Sequence, residues 1–181
     1  MKNKKLLLGI AWAWLTCLSA NAEVKLPAFF SDGMVMQQQT RANLWGTATP
    51  DAPVKITTSW DKQTYKTTAD AKGAWKLALS TPSAGGPYTI TFDDGKLTEI
   101  RDILMGELWL CSGQSNMEMP MKGFKNQPVE NSNTDVMNSR NPQLRLFTVK
   151  RSSSFTPKTD VVGTWQEAVP ATVREFSATA Y

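Results

Sequence analysis

Apolar residues recur in short, closely spaced runs through the first half of the chain: Val24-Lys25-Leu26, Met34-Val35-Met36, Asn43-Leu44-Trp45, Val54-Lys55-Ile56, Trp75-Lys76-Leu77-Ala78-Leu79 and Tyr88-Thr89-Ile90-Thr91-Phe92. Several alternate apolar with polar positions, the period-two pattern of a strand with one buried face. Turn-forming groups separate them, at Ser31-Asp32-Gly33, Thr49-Pro50-Asp51-Ala52-Pro53, Ala71-Lys72-Gly73 and Ala84-Gly85-Gly86-Pro87. Strands this short need a second sheet to cover them, so 23–101 is expected to form an antiparallel β-sandwich. Asp94-Gly95 predicts a hairpin from which Lys96 to Ile103 returns as a strand, because glycine takes positive φ without a Cβ clash. The Asp93, Asp94 pair fits that turn, and an acid pair or calcium site is its other use. Trp45, Trp60 and Trp75 suit a sandwich core or a sugar-stacking platform.

At Ile103 the pattern changes. Ile103-Leu104-Met105 and Leu108-Trp109-Leu110-Cys111 form a nearly continuous apolar run, broken at Ser112-Gly113. A run apolar on both faces predicts a buried strand of a parallel sheet covered by helices, and hence an α/β domain over 102–181. Ser115 follows on a sharp turn, where an open α/β sheet exposes a reactive oxygen and leaves backbone N–H groups free to bind an anion. Pro120 restricts any helix after Ser115 to about one turn. Taken locally, Gly113-Gln114-Ser115 is equally an ordinary loop, since the second glycine of a Gly-x-Ser-x-Gly elbow is absent. Leu144 to Val149 predicts another strand, followed by a polar loop from Lys150 to Lys158. Thr172-Val173-Arg174-Glu175 has the form of a capping box, with Val173, Phe176 and Ala180 on one face of a helix running to Tyr181.

The amino terminus bears on compartment. Lys2, Lys4 and Lys5 precede an apolar stretch from Leu6 to Leu18 and then Ala20-Asn21-Ala22, a small-x-small cleavage signal, so 1–22 is expected to be an export signal cleaved after Ala22. A retained membrane anchor and a lipid-modified Cys17 are the alternatives, weakened by the missing stop-transfer flank and by Trp14-Leu15-Thr16 before the cysteine. Cleavage places the protein in the periplasm or outside the cell, without stable membrane insertion, and leaves Cys111 with no partner for an internal disulfide. Within the apolar strand, Cys111 is expected to be an inert core thiol.

Composition then excludes whole classes of chemistry. The 181 residues contain no histidine, so neither a Ser/His/Asp triad nor a His-ligated metal site can be completed from them. Lys plus Arg is 20 against 16 Asp plus Glu, and without the three signal lysines the balance is 17 against 16, which gives no basis for a nucleic-acid partner. No metal or cofactor is called for.

The stretch Gly106-Glu107-Leu108-Trp109-Leu110-Cys111-Ser112-Gly113-Gln114-Ser115-Asn116-Met117-Glu118-Met119-Pro120 closely resembles the nucleophile block of secreted bacterial sialate O-acetylesterases, relatives of the SGNH hydrolases. Leu26-Pro27-Ala28-Phe29-Phe30-Ser31-Asp32-Gly33-Met34-Val35-Met36-Gln37, Trp45-Gly46, Gly73-Ala74-Trp75, Ala84-Gly85-Gly86-Pro87-Tyr88 and Asn141-Pro142-Gln143-Leu144-Arg145-Leu146-Phe147 also resemble family phrases, in order. The resemblance implies a β-sandwich followed by the beginning of a flavodoxin-like, SGNH-type α/β hydrolase domain, truncated at Tyr181. It also implies release of acetate from O-acetylated sialic acids or related acetylated glycans, with Ser115 as the nucleophile. The family's catalytic histidine and aspartate have no counterpart in the sequence, so the chain alone is expected to be inactive. Ser115 N–H is a candidate oxyanion donor, with Gly113 lining the site, and Gln114 and Asn116 either contact the acetyl oxygen or brace the turn. Met117, Met119 and Met121 either pack beneath the sandwich or line an acyl pocket. Lys122 and Lys125 are expected to remain solvated and protonated, so they offer no base. A non-catalytic carbohydrate-binding or interaction module is the alternative.

Overall fold

The computed structural model describes residues 23–181, so the expected export segment, Cys17 included, lies outside the described residues. Seven strands build the first part: β1 Val35–Gln37, β2 Arg41–Thr47, β3 Pro53–Thr58, β4 Thr64–Thr68, β5 Ala74–Ser80, β6 Gly85–Asp93 and β7 Leu97–Gly106. They form a five-stranded sheet in the order β1-β7-β6-β3-β4 and a two-stranded sheet β2-β5. Val54, Ile56, Ile90, Phe92, Ile103 and Met105 from the larger sheet share one core with Leu44, Trp75 and Leu79 from the smaller. The alternation is clean in β3, where Val54, Ile56 and Thr58 are buried and the residues between them are exposed.

Most of the expected strands form, with instructive departures. The sheet is mixed rather than antiparallel, because β1 pairs in parallel with β7, Val35 opposite Leu104. A parallel neighbour needs a long crossover, here the five strands between β1 and β7, and no local pattern signals it. Val24-Lys25-Leu26 contributes a single bridge, Lys25 to Thr47, rather than a strand. β4, absent from the apolar pattern, forms because its β-branched threonines and Tyr65 suit an exposed, pleated surface. The Asp94-Gly95 hairpin forms, with Asp93 Oδ1 accepting the Gly95 N–H at 2.9 Å. Trp75 is buried against Phe92, whereas Trp45 and Trp60 are half-buried and donate to the carbonyls of Thr159 and Ser80. The three indoles therefore do not form a shared platform.

The second part is smaller: α1 Ser115–Glu118, α2 Ser132–Met137, β8 Asn141–Phe147, β9 Trp165–Ala168 and α3 Pro170–Val173. Met121, Leu146, Ala168 and Val173 form its separate core. Here the expectations fare worse. Leu108-Trp109-Leu110-Cys111 is not a strand; Leu108, Trp109 and Leu110 are 39%, 82% and 93% exposed, and Cys111 is an exposed free thiol rather than a core one. Burying a strand on both faces requires neighbouring strands and covering helices, and among the described residues none lies beside 108–111. β8 pairs antiparallel with β9, so no parallel pair follows β7 among the described residues. The expected helix to Tyr181 is one turn, beginning at Pro170. Thr172 Oγ1 reaches back to accept the Val169 N–H at 3.1 Å instead of serving as the N-cap. No described helix is long and apolar enough to cross a membrane.

Candidate functional site

The exit of β7 is held by side chains. Gln37 and Gln38 both donate amide hydrogens to the Glu107 carboxylate, at 3.3 and 2.7 Å, and Gln37 Oε1 accepts the Leu108 N–H at 2.8 Å. The bonds from Gln38 and then Gln37 favour the ionised form and hold the Glu107 carboxyl below the usual glutamate range. This brace starts the chain on the path to Ser115, eight residues later.

Ser115 is the first residue of α1, whose single turn ends at Glu118 just before Pro120. Gly113, Gln114, Ser115 and Asn116 are all exposed. Gln114 is the N-cap, and its carbonyl accepts the Glu118 N–H at 3.1 Å. The Asn116 carbonyl accepts the Thr179 hydroxyl at 3.0 Å. Among the described residues the side chains of Gln114, Ser115 and Asn116 make no hydrogen bonds, so the turn is held by its backbone. A Cβ at Gly113 would lie 3.1 Å from Met117 Cβ, a tight contact that glycine avoids. Met117 is half-buried, its sulfur accepting from Ser177 at 3.4 Å, and Met121 packs in the second core. Glu118 pairs with Arg151 at 2.8 Å and Lys122 with Glu175, so both are engaged.

The serine turn opens on a broad concavity of about 2290 Å³. It is lined by the run Leu108–Cys111 and by an aromatic wall of Phe29, Trp45, Phe147 and Trp165. This aromatic wall joins the two parts of the chain. Trp165 lies 5.2 Å from Phe29 and 5.1 Å from Phe147, ring centre to ring centre, and its Nε1 donates to the Phe29 carbonyl at 2.8 Å. Beside it, the Arg145 side chain is 4% exposed and pairs with Asp102 at 2.9 Å and Glu167 at 3.6 Å. None of these roles for Arg145, Gln37 or Gln38 is legible in the sequence; the one pointer is that Arg145 and Gln37 lie in phrases of the family resemblance. Among the described residues no group of three or more His, Cys, Asp or Glu could hold a metal ion.

The comparisons with known proteins agree with this arrangement. Sialate O-acetylesterase of Pongo abelii is 30% identical over 154 residues, covering 80% of this chain, and that of Homo sapiens is 32% identical over 131 residues, covering 67%. The chain is a distant homologue of the sialate O-acetylesterases. A crystal structure of a carbohydrate acetylesterase from Xanthomonas citri superposes with a TM-score of 0.80 at 34% identity, over 88% of this chain. The chain spans 29% and 25% of the two curated relatives and 35% of the solved enzyme. No family model matches it.

Proposed function

We propose that the chain carries the nucleophile segment of a carbohydrate esterase that removes O-acetyl groups from sialic acids or related acetylated sugars. The observation that carries this reading is Ser115, exposed at the head of a one-turn helix and opening on the large cleft, in a chain homologous to such esterases. In the proposed reaction Ser115 Oγ attacks the acetyl carbonyl while a base takes its proton. The sugar hydroxyl leaves with a proton, and water then hydrolyses the acetyl-enzyme to acetate. Gly113, Gln114 and Asn116 line the site, and the unbonded amides of Gln114 and Asn116 are free to meet the acetyl oxygen. The base is not in this chain, which has no histidine. The chain by itself is therefore expected to hydrolyse an aryl acetate no faster than its Ser115→Ala variant. A serine-dependent rate above that control, or stoichiometric labelling of Ser115 by a fluorophosphonate, would disprove the missing-base argument.

The proposal extends to organisation and place. Residues 23–101 are read as a β-sandwich, and those from 102 onward as the start of an SGNH-type α/β hydrolase domain, with the division falling inside β7. Two separate apolar cores support a two-part organisation, although Ile103 and Met105, beyond 101, still belong to the first core. The product is exported to the periplasm or beyond. The absence of histidine also supports a second reading, a carbohydrate-binding module without catalysis. Glycan binding unaffected by Ser115→Ala, with no activity in any longer form that supplies a histidine, would favour it.

A further inference from the structure

We infer that a small pocket where the two parts of the chain meet binds one neutral hexose unit of a glycan through its hydroxyls. The inference rests on the acetylated-sugar reading of the cleft and deepens it with a second sugar contact, in a pocket that Ser115 does not line. Asp32, Gly33 and Asp102 reach the pocket from the first part, and Arg145, Trp165 and Glu167 from the second, around about 220 Å³. That is several times the roughly 30 Å³ share of one water, so the space suits a small ligand rather than a single solvent molecule. Its rim on the first part is pinned: Asp32 Oδ1 accepts the Arg101 N–H at 2.7 Å, and the Gly33 N–H donates to the Arg101 carbonyl at 3.1 Å. A rim already held in place lowers the ordering cost of binding.

The lining selects the class of ligand. Both terminal nitrogens of the nearly sealed Arg145 side chain are engaged, one by Asp102 and the other by Glu167 and the Pro142 carbonyl. Among the described residues its Nε–H has no acceptor. A Cβ built on Gly33 would find Trp165 Cβ at 3.7 Å, and Arg145 Nε and Asp102 Oδ2 each at 3.9 Å, as its nearest neighbours. The unpartnered donor therefore faces the space above Gly33, next to a carboxylate oxygen. A group seated there must accept from Nε and donate to Asp102, and a hydroxyl does both. Glu167 and Asp102 are about half exposed, so they also offer acceptors to a neighbouring hydroxyl. Asp32, Asp102 and Glu167 against one guanidinium disfavour an anionic ligand. Among the described residues no group of three or more His, Cys, Asp or Glu could hold a metal ion. Adjacent hydroxyls on an uncharged sugar ring meet these requirements together. Asp102, Arg145, Trp165 and Glu167 border the serine cleft as well, so the pocket shares a wall with it.

The test is an NMR titration of the isotope-labelled chain with the methyl glycosides of glucose, galactose and mannose, followed at the Gly33 amide and the Trp165 indole N–H. At least one glycoside should give saturable shifts at both signals. Gln166→Trp, a change at an exposed residue of the pocket lining, should abolish them by filling the mouth. Glu167→Ala, which only deletes an acceptor, should weaken binding at least about fivefold. Ser115→Ala should leave binding unchanged. No shift with any of the glycosides overturns the inference, as do shifts that survive both pocket variants. Equal binding of the methyl glycoside of sialic acid overturns it too, because the carboxylates should repel that ligand. Aryl acetate hydrolysis by a longer form that supplies a histidine separates the two claims. Glycoside binding at the pocket without Ser115-dependent hydrolysis sustains the pocket and sinks the esterase reading; hydrolysis without glycoside binding does the reverse.

Discussion

Asp61 sits in the turn between β3 and β4 with three donors around it: the Thr58 hydroxyl, the Gln63 N–H at 3.0 Å and the Tyr65 phenol at 3.0 Å. Partial burial works against its charge, but the hydrogen bonds outweigh it and hold the carboxyl below the usual range. The same contact acts oppositely on Tyr65, where burial first and then the bond to Asp61 raise the phenol, since ionising it would remove the donor and set two anions together. An NMR titration of the Tyr65 ring should therefore give a midpoint above the ordinary value of about 10, and Asp61→Asn should lower it. A midpoint at or below the ordinary value, or one indifferent to Asp61→Asn, would show the contact to be absent in solution. At this scale the sequence was informative about backbone chemistry, as at Asp94-Gly95 and Pro120. It was silent on side-chain partners such as Asp61 with Tyr65, because those depend on which strands become neighbours.

Among elements, β2 illustrates how closely backbone must approach in a two-stranded sheet. A Cβ at Gly46 would lie 2.5 Å from the Lys25 carbonyl oxygen and 2.9 Å from the buried Trp75 ring, neither of which can retreat easily. Gly46→Ala should cost about 1–3 kcal/mol of stability through this overpacking. At Gly106, the end of β7, an added methyl would meet nothing within 4 Å, so Gly106→Ala should stay within about 0.5 kcal/mol of the parent. Denaturant unfolding of both variants checks the contrast, and equal effects would contradict the packing around Gly46. The strands of the first part were legible because each buries one face and so alternates. Leu108–Cys111 departs from its apolar pattern for the opposite reason: apolarity states what a segment needs, and only neighbours decide whether it is met.

For the molecule as a whole, the contact between the two parts turns on Arg145. Its guanidinium is nearly sealed from solvent, with Asp102 and Glu167 about half exposed beside it. Asp102 holds a left-handed backbone, φ 55°, inside β7, a conformation asparagine also tolerates. Asp102→Asn should therefore keep the bend and remove the charge, costing about 1–3 kcal/mol because a buried cation loses its closest anion. No loss in unfolding free energy would mean that Glu167 and the Pro142 carbonyl satisfy Arg145 without it. Export is tested at the same scale: expressed in a Gram-negative host, the protein should be recovered outside the cytoplasm with Glu23 at its amino terminus. A cytoplasmic product that keeps Met1 would sink that proposal.

Local sequence by itself determined most of the strands of the first part, the turn after β6, the short helix cut off by Pro120 and the absence of histidine from these 181 residues. Each of these follows from covalent geometry or from a count of residues, and neither changes on folding. The tertiary structure alone decided that β1 lies parallel to β7, that Arg145 joins two segments more than forty residues apart in sequence through Asp102, and that 108–111 stands uncovered beside Ser115. Pairing partner, burial and cover are properties of what surrounds a residue, and an apolar run carries no record of whether those surroundings are present.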